Sequence, residues 1–344
     1  MRRSNKNSKR YVNPTSIAVV VATAVGLVLL GIVAIYNAEL RPVSRDTSTK
    51  LVEIPRMGVR QVARRLKQQG VIRNALAFRM LAKTSAALNK CPAPKAGFYD
   101  LSPSMSSEEI LQRICAGKVA RRKVTFPEGF TVEQMAERVE EDLKLPAADF
   151  MAGATGARVK RGVAFTLPKG SLEGYLFPAT YNFPVGEKSE LLASDMVAAF
   201  NDRFAVPYAA EIRKSKFSVH ELVTLASLVE REARVPSERP LIAGVMVNRL
   251  QKKMRLQVDA SVQYALGKHK SRLLYRDLKV DSPYNTYLHA GLPPGPICNP
   301  GLDCLKAALR PAKTPYLFYV ARANGRHVFT KTYQEHLGAV RAVR

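Results

Sequence analysis

An uncharged, mostly apolar stretch lies close to the N-terminus, from about Ile17 to Tyr36. Roughly 20 apolar residues are enough to cross the hydrocarbon core of a bilayer as a helix. The apolar core of a cleaved signal peptide is shorter, about 7–15 residues, and residues 37–40 do not resemble a cleavage site. We therefore expect an uncleaved transmembrane helix at 17–36 rather than a signal peptide.

The residues before this predicted helix, 1–16, contain five Lys or Arg and no Asp or Glu. Basic flanks of a transmembrane helix stay on the cytoplasmic side of the membrane. We therefore expect a single-pass protein of the inner (cytoplasmic) membrane, with a cytoplasmic tail at 1–16 and the remaining chain outside, in the periplasmic or extracytoplasmic space. Residues 37–50 are predicted to be a polar linker.

Three strand–turn–helix units follow the linker. Helical spacing is clear in the third unit, where Val132, Met135, Ala136 and Val139 fall on one face. Thr131 precedes this helix and is a suitable N-cap, because its hydroxyl can accept a hydrogen bond from a free backbone N–H. The predicted strands and helices are 51–54 with 59–69, 97–101 with 107–116, and 123–126 with 131–140.

Repeated units of this size resemble LysM-like carbohydrate-binding modules. We assign residues 51–145 to such a module, which binds glycan or positions the next domain; a plain α+β spacer without a ligand is the alternative. Residues 146–344 are predicted to form a larger mixed α+β domain, with a Pro- and Gly-rich loop system at 282–301 and a hairpin turn at Asn324-Gly325. The predicted fold class is therefore α+β, with an N-terminal transmembrane helix, a small LysM-like module and a mixed α+β domain.

The larger domain contains an apolar run, from Glu221 to Glu230, whose apolar residues recur at helical spacing. On this helix Glu230 lies one turn beyond Ala226, next to apolar surface. A carboxyl group in such a place is partly desolvated, so its neutral form is favoured and it can hold a proton near neutral pH. That property suits a general acid. The alternative is a solvated helix end with no chemical role.

Several further segments accompany this run in a fixed order along the chain. Together they resemble the endolytic murein transglycosylase (YceG-like) family, and the resemblance extends from about the membrane segment to the C-terminus. An ordered set of several motifs identifies a family far more specifically than any single motif does. The segments are Phe126–Thr131, Ser171–Pro178, Ala226–Glu230, Val247–Leu250, Met254–Asp259, Ser282–Tyr287, Gly291–Ile297 and Pro311–Val320.

The resemblance implies that residues 146–344 are a YceG-like catalytic domain and that Glu230 is its catalytic acid/base. It implies a lytic transglycosylase without a cofactor, which cleaves MurNAc-GlcNAc β-1,4 bonds of nascent peptidoglycan strands, leaves 1,6-anhydroMurNAc ends and so terminates elongation. Peptidoglycan synthases are candidate partners. A non-catalytic peptidoglycan-binding scaffold for the synthases is the alternative, and a hydrolase that uses water is a third possibility.

Other residues in these segments are candidate substrate ligands. Glu173 is either on the substrate side or structural, and Arg249 is expected to pair with a carboxylate of the protein or the substrate. Glu232 is interpreted as a surface or supporting group on a different face of the helix. The remaining candidates are Gln257 and Asp259, which either line the cleft or anchor a loop, and Tyr284, Asn285, Thr286 and Tyr287, which offer stacking and hydrogen bonds to N-acetylhexosamines.

The formal net charge of the chain is +26. Such a charge is typical of proteins that bind nucleic acid or anionic surfaces. Nucleic acid is not expected outside the membrane, and the sequence has no zinc-finger spacing or RNA-recognition motif. An anionic polymer or the phospholipid surface fits the charge better.

Four cysteines are present in the sequence. In an oxidising compartment we expect disulfides between Cys91 and Cys115 and between Cys298 and Cys304; four reduced, buried thiols are the alternative. A zinc site is not expected, because no Cys-x-x-Cys pair occurs and histidines are few.

Overall fold

A computed structural model describes residues 14–159, 162–267, 270 and 272–343. Its first element is an α-helix, α1, at Pro14–Glu39. The segment Ala18–Glu39 has a mean hydropathy of 2.8, and none of it is buried. This length and composition are compatible with a single transmembrane span at the place predicted from the sequence. Most of the predicted cytoplasmic tail, residues 1–13, lies outside the described residues.

The chain divides into two compact units. The first comprises residues 1–121 with 184–186, and the second comprises 122–183 with 187–344. The sequence-based boundary at 145 therefore differs from the structural one. The third strand–turn–helix unit was expected in the small module, but its helix buries Met135 and Val139 in the same core as Phe150 and Leu228, which belong to the second unit.

The first unit has a two-stranded antiparallel sheet in which Val52 lies opposite Tyr99. Both side chains are buried with Leu66 and Phe78. The helix that contains Phe78 was not predicted, because its buried face consists mainly of alanines and gives little apolar periodicity. The elements of this unit after α1 are β1 Lys50–Ile54, α2 Val59–Gln68, α3 Ala75–Ala87, β2 Gly97–Leu101 and α4 Ser107–Ala116.

The second unit is mostly helical, and α9 lies at its centre. Eight consecutive residues of α9, 222–229, are buried. The helix begins with a capping box, in which Ser218 and Glu221 each bond the other's backbone N–H. The helices are α5 Val132–Leu143, α6 Ala147–Gly153, α7 Ser189–Phe200, α8 Ala209–Lys214, α9 Val219–Glu232, α10 Arg239–Gln251, α11 Asp259–Ala265, α12 Leu302–Leu309 and α13 Tyr333–Val343.

Two more small sheets complete the described part of the chain. Strand β3, Arg121–Thr125, pairs with β4, Thr180–Pro184. Strand β5, Phe318–Ala321, pairs antiparallel with β6, His327–Thr330. The predicted hairpin at 324–325 is therefore confirmed, as is the mixed α+β class.

The cysteines follow the predicted pattern only in part. Cys91 and Cys115 form a disulfide, which confirms one pairing. The predicted bond between Cys298 and Cys304 is wrong, because both are free and buried. The thiol of Cys298 donates to the carbonyl oxygen of Ser227 at 3.4 Å, whereas that of Cys304 hydrogen-bonds the Glu230 side chain. The two sulfur atoms therefore have different partners in the core.

Removal of the disulfide should destabilise the first unit. The bond joins residues 24 positions apart, and closing a loop of that length in the unfolded chain stabilises a protein by about 3 kcal/mol. We expect the Cys91→Ala/Cys115→Ala variant to unfold at lower urea concentration than the wild type. Reductant should lower the stability of the wild type and leave that of the variant unchanged; an equal response of both proteins would contradict the assignment.

Candidate active site

The C-terminal end of α9 carries two carboxyl groups, those of Glu230 and Glu232. Both side chains are half-buried. Successive residues of an α-helix are about 100° apart, so residues two positions apart point to different sides. The two carboxyls therefore have separate surroundings.

Glu230 faces the N-terminus of α12. Its Oε2 accepts a hydrogen bond from the backbone N–H of Gly301 at 2.9 Å, and the thiol of Cys304 is a second partner. The carboxyl of Glu128 lies against the Cα of Gly301, where any side chain would collide with it. Glu230 is therefore bound into a contact between α9, α12 and the loop after β3.

Glu128 adds a second carboxyl to this contact. Partial burial and the charge of Glu230 raise its pKa, while Arg239, 3.8 Å away, lowers it. Arg239 also pairs with Asp303 at 3.2 Å. Among the residues that the structure describes, no group of three or more His, Cys, Asp and Glu side chains is arranged to hold a metal ion. The cluster is a pair of carboxyls compensated by a guanidinium and a helix N-terminus.

Glu232 has a different environment. The pKa of its carboxyl is raised from 4.5 to about 7, mainly by burial and also by the charge of Asp259. The hydroxyl of Tyr319 donates a hydrogen bond to Oε2 at 3.1 Å and partly offsets this shift. A carboxyl with a pKa near neutrality can both hold and release a proton at neutral pH. The half-buried side chain of Glu232 does not fit a surface group, whereas its contact with Tyr319 is compatible with a supporting one.

Predicted ligands from two other segments lie beside Glu232. Asp259 begins α11 and accepts a hydrogen bond from the hydroxyl of Tyr287 at 2.5 Å. Burial and Asp259 raise the pKa of Tyr287, and Glu232 contributes to the same shift. The structure thus brings Glu232, Asp259, Tyr287 and Tyr319 together, although they are far apart in the sequence.

Gln257 stands two residues before Asp259. Its side chain is exposed, and its φ of 52° is in the left-handed region that favours glycine. Its backbone N–H donates to the carbonyl oxygen of Thr286. Backbone strain of this kind is concentrated at functional sites. Gln257 is therefore held beside the Asp259 cluster with a side chain free to contact a ligand.

Arg249 supports this loop from the interior. It is 9% exposed and donates to the carbonyl oxygens of Leu256 at 2.8 Å and Leu317 at 2.6 Å. Its guanidinium also stacks over the ring of Phe318 at 5.1 Å. The predicted pairing with a carboxylate is absent from these contacts, because the guanidinium donates its hydrogen bonds to backbone carbonyl oxygens. Arg249 joins the loop that carries Gln257 to the strand that carries Tyr319.

Two predicted ligands are buried anchors. Asn285 is fully buried and donates to the carbonyl oxygens of Leu278 and Val280. Thr286 is 2% exposed, and its hydroxyl accepts the N–H of Val258. Neither side chain has surface left for a sugar, so the prediction that they bind substrate does not fit their burial.

Tyr284 and Glu173 belong to a separate group. The ring of Tyr284 is half-buried and lies 4.9 Å from that of Tyr264. Glu173 is 7% exposed, and burial raises its pKa to about 8. Its carboxyl accepts the Val132 N–H at 3.2 Å and the Asn299 amide at 2.8 Å. Of the two roles considered for Glu173, these contacts favour the structural one.

A cavity of about 500 Å³ lies between α5, α11 and the end of α9. It shares α11 with the Glu232 cluster, since Ala260 lines the cavity and the adjacent Asp259 contacts Tyr287. Its lining consists mainly of polar side chains together with the ring of Tyr264. The polar and aromatic groups at its wall include Gln134, Glu173, Arg231, Gln263 and Tyr264.

A model described as the YceG-like family matches residues 52–342. The chain belongs to the YceG-like family. The match begins in β1 and ends in α13, so it includes both compact units of this YceG-like protein. The family resemblance drawn from the sequence motifs is confirmed.

Characterised relatives agree with this assignment. This YceG-like protein is 40% identical to the "Endolytic murein transglycosylase" of Bacillus subtilis (strain 168), over 86% of each chain. It is 34% identical to the protein of the same name from Streptococcus pneumoniae serotype 2, over 80% of this chain and 55% of the relative. A 2.6 Å crystal structure of a YceG-like protein from Listeria monocytogenes has a TM-score of 0.58 and 39% identity, covering 85% of this chain and 99% of that one.

The buried carboxyl of Glu173 should make stability depend on pH. Its folded-state pKa of about 8 lies above its ordinary value of 4.5, so its contribution to stability is present below the unfolded pKa and is lost as the pH rises to about 8. The shift corresponds to about 5 kcal/mol at most. The free energy of unfolding of Glu173→Gln, relative to wild type, should therefore increase between about pH 5 and pH 8.

The control for this measurement is Glu137→Gln, which changes an exposed carboxyl of α5. Its free energy of unfolding should follow that of the wild type across the same pH range. Parallel curves for wild type and Glu173→Gln would show that Glu173 ionises in the same way in the folded and unfolded states.

The hydrogen bond from Tyr319 lowers the pKa of Glu232, so its loss should raise that pKa. We expect Tyr319→Phe to shift the titration of the Glu232 carboxyl upward by about one unit, since a hydrogen bond to a charged group contributes about 1.5–3 kcal/mol. Carbon-13 NMR of labelled glutamate, with Glu232→Gln to assign the signal, measures the shift. Tyr316→Phe is the control; an unchanged titration in Tyr319→Phe would exclude the hydrogen bond.

Proposed function

We propose that this protein is an endolytic murein lytic transglycosylase and that Glu232 is its catalytic acid/base. The observation that carries the proposal is the carboxyl of Glu232, half-buried, with a pKa of about 7, beside Asp259, Tyr287 and Tyr319. The relatives named endolytic murein transglycosylase supply the substrate class. Peptidoglycan is therefore the proposed substrate.

The reaction needs one carboxyl that changes its protonation state. Protonated Glu232 donates its proton to the oxygen of the MurNAc-GlcNAc β-1,4 bond as the bond between that oxygen and the anomeric carbon of MurNAc breaks. The C6 hydroxyl of the same MurNAc attacks this carbon, and the Glu232 carboxylate removes the hydroxyl proton. The products are a 1,6-anhydroMurNAc end and a free GlcNAc hydroxyl, with Glu232 protonated again. Ordinary glycosidases use two carboxyls because water is the nucleophile or a covalent intermediate forms.

The surroundings of the two carboxyls favour Glu232 over Glu230, the residue that the sequence resemblance implied. The Glu230 carboxyl is engaged with the N-terminus of α12, where it accepts the Gly301 N–H. Desolvation and the charge of Asp259 favour the neutral form of the Glu232 carboxyl. A general acid must hold its proton until the leaving oxygen needs it.

The proposed substrate ligands surround this acid. Gln257 and Asp259 present polar groups beside Glu232, and Tyr287 holds the Asp259 carboxylate in place. The neighbouring cavity, with Tyr264 and Gln263 at its wall, has room for a sugar of the strand. Tyr284 contributes to this proposed sugar site through the contact of its ring with that of Tyr264.

The proposed location is the outer face of the cytoplasmic membrane. Helix α1 is apolar and long enough to span a bilayer, and the basic tail before it favours a cytoplasmic N-terminus. An enzyme held there meets strands as the synthases make them, so internal cleavage would terminate elongation. Contact between the first unit and glycan, as in a LysM-like module, is part of this proposal.

A non-catalytic scaffold would need neither a desolvated carboxyl nor its partners, and this separates it from the enzyme. A hydrolase would use the same acid with water. The two reactions differ in product, because hydrolysis leaves reducing MurNAc ends and the lytic reaction leaves anhydro ends.

Replacement of each carboxyl by an amide, in separate variants, tests the assignment of Glu232 as the catalytic acid. We expect Glu232→Gln to lower kcat on purified sacculi by between about a hundredfold and ten-thousandfold, the range of a general acid–base group. The matched variant Glu230→Gln lies at the same helix end and should lose about tenfold or less, the effect of one altered hydrogen bond. Mass spectrometry of product ends measures both.

The reverse order of activities would identify Glu230 as the catalytic acid. Reducing ends in place of anhydro ends would establish a hydrolase. Binding of sacculi by the wild type without any cleavage would favour the scaffold.

A further inference from the structure

The first unit contains a long segment without acidic residues. Between residues 54 and 99 there are ten Lys and Arg and no Asp or Glu. This segment includes both α2 and α3. One of its arginines, Arg65, pairs with Glu53 at 2.7 Å, and Arg60, Arg64 and Lys67 are exposed on α2. The surface of α2 and α3 is therefore strongly positive.

Helix α3 also exposes large apolar side chains. Its inner face buries Ala77, Phe78 and Ala82. Leu76 is 60% exposed and Met80 is 52% exposed. These two residues are four positions apart, so they lie on one face of the helix. Two large apolar side chains of α3, Leu76 and Met80, thus face away from the core.

Basic residues flank these exposed apolar side chains. Arg79 and Lys83 lie on α3 beside Met80, and Leu88, 60% exposed, follows the helix end. An apolar face bordered by Lys and Arg is typical of helices that lie in the interface of a membrane. Binding of a charged polymer alone would not involve the exposed apolar side chains of Leu76, Met80 and Leu88.

The segment after the transmembrane helix is bound to the first unit. The carbonyl oxygen of Leu40 accepts the N–H of Ser107 at 2.9 Å. Arg73 donates to the carbonyl oxygens of Pro42 at 2.8 Å and Val43 at 3.3 Å. The polar linker predicted at 37–50 is therefore attached to α4 and to the residue before the N-cap of α3. This attachment keeps the start of α3 close to the end of α1.

We propose that α3 docks on the bilayer surface, with Leu76, Met80 and Leu88 inserted at the boundary of the acyl chains and Arg79 and Lys83 on anionic headgroups. The proposal goes beyond the cleavage reaction and rests on α1 as the membrane span. Two attachments, α1 and α3, fix the first unit against the lipid. Each basic residue near an anionic surface adds to the binding, as does each buried apolar side chain.

The test uses the full chain reconstituted into vesicles of phosphatidylcholine with or without phosphatidylglycerol. A Met80→Cys variant carries an environment-sensitive fluorophore, and lipid-borne nitroxides quench it when it enters the bilayer. The matched control is Leu51→Cys, which is 45% exposed in the wild type and lies on β1 of the same unit. We expect blue-shifted emission and strong quenching at position 80 in anionic vesicles, reduced by salt, and neither effect at position 51.

Reversal of the charges on α3 is the second part of the experiment. Arg79→Glu/Lys83→Glu in the Met80→Cys background should lower the ratio of docked to undocked protein roughly tenfold or more, since each basic residue contributes about fivefold. An intact Cys91–Cys115 disulfide and an unchanged signal at position 51 show that the unit is folded. A water-exposed fluorophore at position 80 in both vesicle types would overturn the proposal. Protection of position 80 by added sacculi, without quenching by lipid, would assign this surface to the wall polymer and overturn it equally.

Discussion

The burial of α9 is the constraint on which the candidate site depends. Residues 222–229 are buried without interruption, so the helix passes through the core and reaches polar surroundings only at its ends. Removal of water stabilises the apolar part of such a helix. The same removal of water, at its last residue, disfavours the charged form of Glu232 and raises its pKa to about 7. The stability of the helix and the raised pKa of Glu232 therefore have one physical cause, the removal of water.

The environment of Glu232 is completed by segments that are remote in sequence. Tyr319 comes from β5, Asp259 from the start of α11 and Tyr287 from the loop after it. Arg249 holds two of these segments together through backbone carbonyls. Arg249, Asn285 and Thr286 thus hold the loops of the second unit in place through hydrogen bonds to backbone groups.

The first unit has a different physical character. Its small core is closed by the Cys91–Cys115 disulfide, and its surface from residue 54 to 99 has only positive charge. The chain that leaves α1 is bonded to this unit by Leu40, Pro42 and Val43. Helix α1 and the rest of the first unit are therefore connected by hydrogen-bonded backbone rather than by a free tether.

The sequence by itself determined the elements whose signals are local. Apolar length predicted α1, helical spacing predicted α9, and Asn324-Gly325 predicted the β5–β6 turn. The order of motifs identified the family. Through the motif Ala226–Glu230, the same resemblance implied Glu230 as the acid. Tertiary structure decided that Glu232 meets Asp259 and Tyr319, that Asn285 and Thr286 are buried anchors, and that Cys298 and Cys304 stay apart. Desolvation and charge act through space, so the raised pKa of the Glu232 carboxyl follows only from the folded chain.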